Sequence, residues 1–315
     1  MNAPVAPRFD LLCIGEPMIE FNQTEPGAPH YRQGLGGDTS NVAMAAARSG
    51  ARTAYWTRLG NDAFGRLLRA RWAQEGVEAS AVPTDPAAAT GVYFVTHGPQ
   101  GHAFSYLRAG SAASRMRPDE LPLDWIRSSR WIQASGISLA ISPSACDTVL
   151  QAFEAARANG VRIAFDSNLR LGLWPLPRAR ALIEAAAGQA DLFLPSLDDV
   201  TVLTGLTEPE AILDWGHRLG AASVALKCGA QGVWLSDGQS RAHLAGHRVA
   251  AIDATGAGDC FAGACLARLA AGDALREAAT YANAAAALST TGWGAVDPLP
   301  RPDAVRGLLA LQAAR

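Results

Sequence analysis

The stretch from Ile252 to Gly263, IDATGAGDCFAG, sets an aspartate directly behind a glycine turn and in front of an apolar run. Ile252 ends an extended apolar segment. Thr255-Gly256-Ala257-Gly258 cannot be helix interior, because each glycine there costs about 1 kcal/mol relative to alanine. From Ala257 onward, small and apolar residues recur at helical spacing, so Asp259 falls in the first helical turn. Free backbone N–H groups and the positive end of the helix dipole meet at that point, and glycine lets an anion come close to them. An aspartate inside a ring of anion-binding amides can orient a hydroxyl and accept its proton while the amides hold a phosphoryl group. The alternative is purely structural: an aspartate in a first helical turn stabilises it by roughly 0.3–1 kcal/mol and does no chemistry.

Other clusters carry polar types on glycine turns or at strand ends. Gly36-Gly37-Asp38-Thr39-Ser40-Asn41 precedes the small-residue helix VAMAAARSG; it is either a capped helix start or a turn where a ligand meets the backbone. G-L-G-G-D-T lacks the sixth-position glycine of a dinucleotide fingerprint, and no G-x-x-x-x-G-K-[ST] loop occurs. Asp166-Ser-Asn168-Leu-Arg170 follows the strand VRIAF, and ligands of an open α/β sheet collect just past the carboxyl ends of its strands. A structural turn uses Asp and Asn in the same way. Ser196 and Asp199, in LPSLDDV, follow the next strand, and Lys227-Cys-Gly229-Ala-Gln-Gly232 follows the one after. Lys227, the only lysine of the chain, either reaches a phosphate or caps the sheet in solvent. His243 and His247 are four apart, but their Ala-Gly-rich segment is not helical in pattern and no third ligand lies near, which argues against zinc. Cys260 and Cys265 read as filler on a packed Ala-rich helix.

Strands and helices must place these residues. Residues 10–15 (DLLCIG) read as a buried first strand. Residues 16–34 are polar, with Pro17, Pro26, Gly27 and Pro29, which predicts a strand or two outside the main sheet. Residues 52–58 read as a strand, 62–75 as an amphipathic helix, and 91–108 (GVYFVTHGPQGHAFSYLR) as two strands joined by a turn containing Gly-Pro. Past Pro118, strands at 130–134, 161–165, 191–194 and 223–227 alternate with helices at 143–158, 178–188, 197–204 and 208–219. That alternation predicts a mostly parallel sheet covered on both faces. VWLSD and the segment around 240–250 add a short antiparallel piece, and Ala-rich helices at about 257–271 and 274–290 close the core. The expected class is α/β: a three-layer α/β/α core (1–15, 35–90 and 112–315) with a small β lid built from 16–34 and 91–111.

Length and composition set the outer bounds. A chain of 315 residues allows two domains or one large α/β domain with an appendage. A hydrophobic fraction of 49% suffices for a sizeable core, and a net charge of -2 points to neither nucleic acid nor a membrane surface. The start, MNAPVAPRFD, lacks the basic and apolar blocks of a signal peptide, and no run approaches the ~20 apolar residues of a membrane span. Scattered cysteines at 13, 146, 228, 260 and 265 favour reduced thiols and a cytoplasmic setting.

The D-x-T-G-A-G-D-x-F-x-G run resembles the signature of the ribokinase (PfkB) family of sugar kinases, and the G-G-x-x-x-N of Gly36–Asn41 resembles that family's first signature. The resemblance covers essentially the whole chain. It implies a ribokinase-like fold and phosphorylation of a carbohydrate hydroxyl by ATP with Mg²⁺. Asp259 is then the base, and Gly256, Ala257 and Gly258 line the anion hole. Gly36 and Gly37 bring the acceptor to the backbone, and Asp38 and Asn41 hydrogen-bond its hydroxyls. D-x-N-x-R places Asn168 and Arg170 near the phosphates and the acceptor. Where the family has N-x-x-E, associated with Mg²⁺ and phosphate, this chain has Ser196 and Asp199, which leaves Asp199 an indirect role through a metal-bound water. Lys227, Gly229 and Gly232 correspond to the nucleotide loop. Asn283 corresponds to a position near adenine, although a lone helical Asn is also an ordinary polar contact. Asp253 and Thr255 correspond to donors of carbonyl oxygens to a monovalent cation such as K⁺.

Within that family the chain is most similar to 2-keto-3-deoxygluconate kinases, through Tyr93 in GVYF, Tyr106-Leu-Arg108 followed by AGSAAS, Arg170 in DSNLR and Ser196 in place of Asn. A neutral sugar needs only hydroxyl-binding groups, whereas an aldonic acid also needs a cation for its carboxylate, which arginine binds in bidentate geometry. The expected reaction is formation of the 6-phosphate of 2-keto-3-deoxygluconate, with Tyr93, Tyr106, Arg108 and Arg170 around the acceptor. A fructokinase or other neutral-sugar kinase is the alternative, and a non-catalytic sugar sensor on the same fold is the alternative of another class. Lid edge strands of this family often pair between subunits, so a homodimer or higher homo-oligomer is expected. The helix start predicts that Asp259 resists protonation and is a weak base.

Overall fold

The computed structural model describes residues 7–98 and 101–313. β1 (Phe9–Ile14) is apolar except for Asp10 near its start, as a strand covered on both faces requires. β2 (Met18–Gln23) and β3 (Tyr31–Gly36) leave the main body, and α1 (Asp38–Arg48) returns to it. β4 (Thr53–Trp56) and the two-residue β5 (Leu59–Gly60) lead into α2 (Ala63–Glu75). α2 begins where Asp62 accepts the Gly65 N–H at 2.7 Å and stops at Gly76, which is left-handed. The short β6 (Val77–Glu78) and β7 (Thr84–Asp85) precede β8 (Gly91–Gly98) and β9 (Gly101–Leu107). The turn expected between these two, at Pro99, and residues 1–6, 314 and 315 of the expected core lie outside the described residues.

After α3 (Leu123–Arg127), strands and helices alternate: β10 (Ser129–Ser135), α4 (Gly136–Ala140), α5 (Pro143–Ala158), β11 (Arg162–Asp166), α6 (Leu176–Ala187), β12 (Leu192–Leu194), α7 (Leu197–Thr204), α8 (Pro209–Leu219) and β13 (Ser223–Lys227). β14 (Val233–Ser236) and β15 (Arg241–Leu244) turn back antiparallel. α9 (Ala257–Ala271), α10 (Leu275–Ser289) and α11 (Pro302–Ala313) complete the chain.

The large sheet has the order β15-β14-β13-β12-β11-β10-β1-β4-β6, and every pair from β13 to β6 is parallel. Side chains alternate across it. Leu11 and Cys13 join the layer of α1, α2, α9, α10 and α11, while Leu12 and Ile14 join that of α3 and α5 to α8. The result is a three-layer α/β/α core. A second sheet, β3-β2-β8-β9, stands beside it. One face of this second sheet packs on the body through Phe21 and Phe94, with Phe21 5.8 Å from the Phe64 ring of α2. The other face carries Glu20, Tyr93 and Tyr106, which register opposite one another.

Three details differ from the sequence expectation. β3 runs to Gly36, past the lid boundary at 34, because Met18 pairs with Gly36. Residues 245–256 hold neither strand nor helix, and Ile252 is 52% exposed. β15 is the last strand of the sheet, so the apolar run after it has no partner strand to extend. α11 was not foreseen, although Val305, Leu308 and Leu309 put an apolar stripe of helical spacing against the core. Among the described residues no helix is long and apolar enough to cross a membrane.

Candidate active site

The carboxyl ends of the parallel strands open onto one rim, and the helix starts of α1 and α9 face it. Both helices begin at glycines that only glycine adopts easily: Gly37 has φ 98° and Gly256 φ 75°. A Cβ on Gly37 would stand 2.3 Å from the Glu16 carbonyl oxygen, and one on Gly256 2.8 Å from the Ala295 Cβ. These turns aim α1 and α9 at each other. Asn41 Nδ2 donates to Asp259 Oδ2 at 2.9 Å, joining motifs from opposite ends of the chain. Asn168 Nδ2 donates to Asp38 Oδ2 at 2.9 Å from a strained backbone with φ 24°. The other oxygens of the two α1 residues, Asp38 Oδ1 and Asn41 Oδ1, are buried with no hydrogen-bond partner.

Charge in this place is out of balance. Burial, then the Asp38 and Asp166 carboxylates, push Asp259 up to about 8, against the Asn41 hydrogen bond and Lys227. The sequence expectation of a carboxylate that resists protonation is therefore corrected. The helix dipole is worth roughly 0.3–1 kcal/mol at an exposed terminus, and desolvation beside like charges outweighs it here. Burial also raises Asp166, despite its ion pair with Lys227. That pair is largely shielded, with the lysine side chain 14% exposed. Lys227 Nζ also lies 3.5 Å from where a Cβ of Gly258 would stand. The ammonium therefore points at the Asp259 helix start and not into solvent.

Among the residues expected near the nucleotide, Ser196 caps α7 by accepting the Asp199 N–H at 3.2 Å. Asp199 Oδ2 in turn accepts the Ser167 hydroxyl at 2.6 Å and the Leu169 N–H at 3.2 Å, which ties it to the D-x-N-x-R turn. Gly229 and Gly232 both have positive φ in a short turn beyond β13. Asn283 donates to the Ala245 carbonyl at 2.8 Å, so its amide holds the 245–256 loop. Asp253 accepts the N–H groups of Thr255 and Gly294, each at 2.9 Å, and pins the turn before α9 to the 293–296 loop. His243 stacks on Trp234 at 4.7 Å, and Cys260 and Cys265 are buried in the core. Among the described residues no group of three or more His, Cys, Asp or Glu side chains is arranged to hold a metal.

The residues expected around the acceptor depart furthest from expectation. Arg108, at the end of β9, is buried, and its Nη2 is ion-paired with Glu16. Ser111 donates to the other Glu16 oxygen at 2.5 Å, and Arg108 Nε is buried without a partner. Arg170 is exposed and donates to the Leu169 carbonyl at 2.8 Å. No contact brings the two arginines together. Tyr93 lies against Gly36, whose Cβ would meet its hydroxyl at 2.4 Å. It donates to Glu20 at 2.5 Å, and burial with the Glu20 charge raises its pKa. Tyr106, 45% exposed, lies 5.8 Å from the Tyr93 ring. Sequence reasoning missed Glu16 and Glu20. Glu16 carried a usable signal, since it lies two residues past the end of β1, where the strand-end rule applies.

Between the second sheet and the 293–297 loop lies a cleft of about 410 Å³, lined among others by Glu20, Asn22, Arg32, His97, Trp293 and Asp297. Comparison with known proteins gives this arrangement its context. The model of the pfkB family of carbohydrate kinases matches residues 8–302. The chain is 34% identical to the 2-dehydro-3-deoxygluconokinase of Thermoproteus tenax, covering 97% of this chain and 96% of that one. It is 35% identical to probable fructokinase-4 of Arabidopsis thaliana, covering 95% and 96%. A crystal structure of a putative ribokinase II from E. coli, in complex with ATP and Mg²⁺, superposes with a TM-score of 0.88 at 26% identity, covering 98% of this chain and 100% of that one. The chain is a member of the pfkB family of carbohydrate kinases.

Proposed function

We propose that this carbohydrate kinase transfers the γ-phosphoryl group of ATP to the 6-hydroxyl of 2-keto-3-deoxygluconate. The observation that carries the acid reading is Arg108: a buried guanidinium held by Glu16, with Nε unpartnered. A buried donor without a partner costs free energy unless a ligand supplies an acceptor, and a carboxylate does so with charge assistance. Asp38 Oδ1 and Asn41 Oδ1, both buried and unpaired, suit the hydroxyl donors of a sugar chain. ATP supplies the phosphoryl group, and Mg²⁺ offsets the charge of its phosphates in a place already rich in carboxylates. Asp166, the last residue of β11, and Asp199, in the first turn of α7, would hold the ion, Asp199 through water. Lys227, Asn168 and the Gly229–Gly232 turn face the nucleotide, while Asn283 acts through the loop it holds. Carbonyls near Asp253 and Thr255 remain the place for K⁺. Asp259, oriented by Asn41, positions the acceptor hydroxyl and takes its proton, and the Gly256, Ala257 and Gly258 amides receive the phosphoryl oxygens.

A neutral-sugar kinase is the second reading, and two observations favour it. Glu16 already neutralises Arg108, and the buried Glu20 adds negative charge to the face that carries Tyr93 and Tyr106. A panel of ATP-dependent turnover on 2-keto-3-deoxygluconate, fructose and ribose separates the readings. Higher kcat/KM on the acid supports the first; higher kcat/KM on fructose replaces it with the second. No turnover on any sugar leaves a sensor. A homodimer through the β9 edge, where Phe104 and Leu107 are 48% and 67% exposed, fits the exposed-edge argument; a monomer by light scattering at working concentration removes it.

A further inference from the structure

Four passages of the chain between core and second sheet meet at one buried side chain. Glu16 leaves the end of β1 with 1% exposure. Its backbone carbonyl abuts Gly37, the turn that begins α1. Its Oε1 accepts the Ser111 hydroxyl at 2.5 Å, and its Oε2 holds Arg108 at the end of β9. Oε1 also lies 2.9 Å from where a Cβ on Gly91, the first residue of β8, would stand. A side chain on residue 91 would therefore displace the carboxylate, and glycine leaves it room. Both carboxylate oxygens are committed, so Glu16 has no lone role toward a ligand. What it controls is the direction of the guanidinium.

We infer that Glu16, with Ser111, is the positioning residue that fixes Arg108 for the acceptor. The pair persists when the acceptor binds: Glu16 keeps Nη2, and the acceptor takes the guanidinium atoms that Glu16 leaves free, Nε among them. Without Glu16 the guanidinium samples several rotamers and loses the planar, pre-oriented fork on which arginine recognition depends. Because Glu16 also backs the Gly37 turn, the hydroxyl end and the cation end of the acceptor are set from one residue. The inference rests on the acid reading only for the group that Arg108 receives.

The test is a double-mutant cycle on acceptor kinetics with Glu16→Gln, Arg108→Gln and the combined variant, the last of which leaves no buried unpaired charge. Glu16→Gln is expected to raise the acceptor KM about tenfold or more, the scale of one charge-assisted hydrogen bond. ATP KM and kcat should stay within about twofold. In the Arg108→Gln background the same change should cost little. Ser111→Ala, which leaves no charge unpaired, should raise acceptor KM in the same direction by less. An unchanged or lower acceptor KM in Glu16→Gln, or an equal loss with and without Arg108, overturns the inference. So does a lower thermal midpoint with normal acceptor KM, which marks a purely structural pair. If wild type prefers fructose, the acid is discarded and the cycle is read on fructose with the same criteria.

Discussion

Two buried charge clusters flank the site, and they are built on opposite plans. Between the core and the second sheet, Glu16 engages Arg108 with one oxygen and Ser111 with the other. At the helix starts, the carboxylates of Asp38, Asp166 and Asp259 crowd together with one ammonium, Lys227, between them, and burial raises both Asp166 and Asp259. The Glu16 carboxylate has both oxygens engaged before any ligand arrives and can therefore orient the guanidinium. The helix-start cluster is left short of donors and positive charge, and ligands bring both. A buried carboxylate is stabilising or costly according to whether its hydrogen bonds are complete, and this molecule holds both cases on either side of the acceptor.

The contrast predicts effects of different size. Asp259→Asn removes the proton acceptor and should lower kcat by on the order of 10²-fold or more, with ATP binding retained; near-normal turnover would remove Asp259 from the chemistry. Lys227→Met should weaken ATP binding or slow transfer and, because it strands Asp166, lower stability by about 3–5 kcal/mol. Adding Asp166→Asn should restore the stability without restoring ATP kinetics. If Lys227→Met leaves both unchanged, the ion pair is a solvated one after all. Asn41→Ala has the smallest expected effect. It deletes the hydrogen bond that favours ionised Asp259, so the acidic limb of kcat/KM for the acceptor should move to higher pH. A limb that stays in place shows that another group sets it.

How much of this could be read in advance depends on the range of the interaction. α5, α7 and α9 begin and end where expected, because their signals are local: Ser142 and Ser196 accept the N–H groups of Ala145 and Asp199, and Gly256 and Gly272 are left-handed at the ends of α9. The motifs around Asp259 and Asn41 were legible as motifs, since glycine turns and caps are written in adjacent residues. What stayed hidden was their electrostatics. The helix dipole that favours a charged Asp259 is a property of one helix, whereas Asp38 and Asp166, which oppose it, arrive from distant parts of the chain. The Glu16–Arg108 pair spans 92 residues, and nothing in GEPM announces an arginine. α11 is a local case: its stripe of Val305, Leu308 and Leu309 is written in adjacent turns of one helix.

The central claim, that Asp259 sits in an unsatisfied carboxylate cluster, can be tested without any substrate. In the folded chain Asp259 keeps its proton up to about 8, against an ordinary value of 3.8. The folded state therefore binds more protons than the unfolded state between these values. Stability contributed by this group falls as pH rises through that window and levels off above it. Asparagine cannot ionise and escapes the loss. Thermal midpoints of wild type and Asp259→Asn, measured without ligands from about pH 5 to about pH 9, should show the variant more stable. Its advantage should grow up to about pH 8, reach at least about 2 °C, and then stay flat. A variant less stable than wild type, or an advantage independent of pH, would contradict the account.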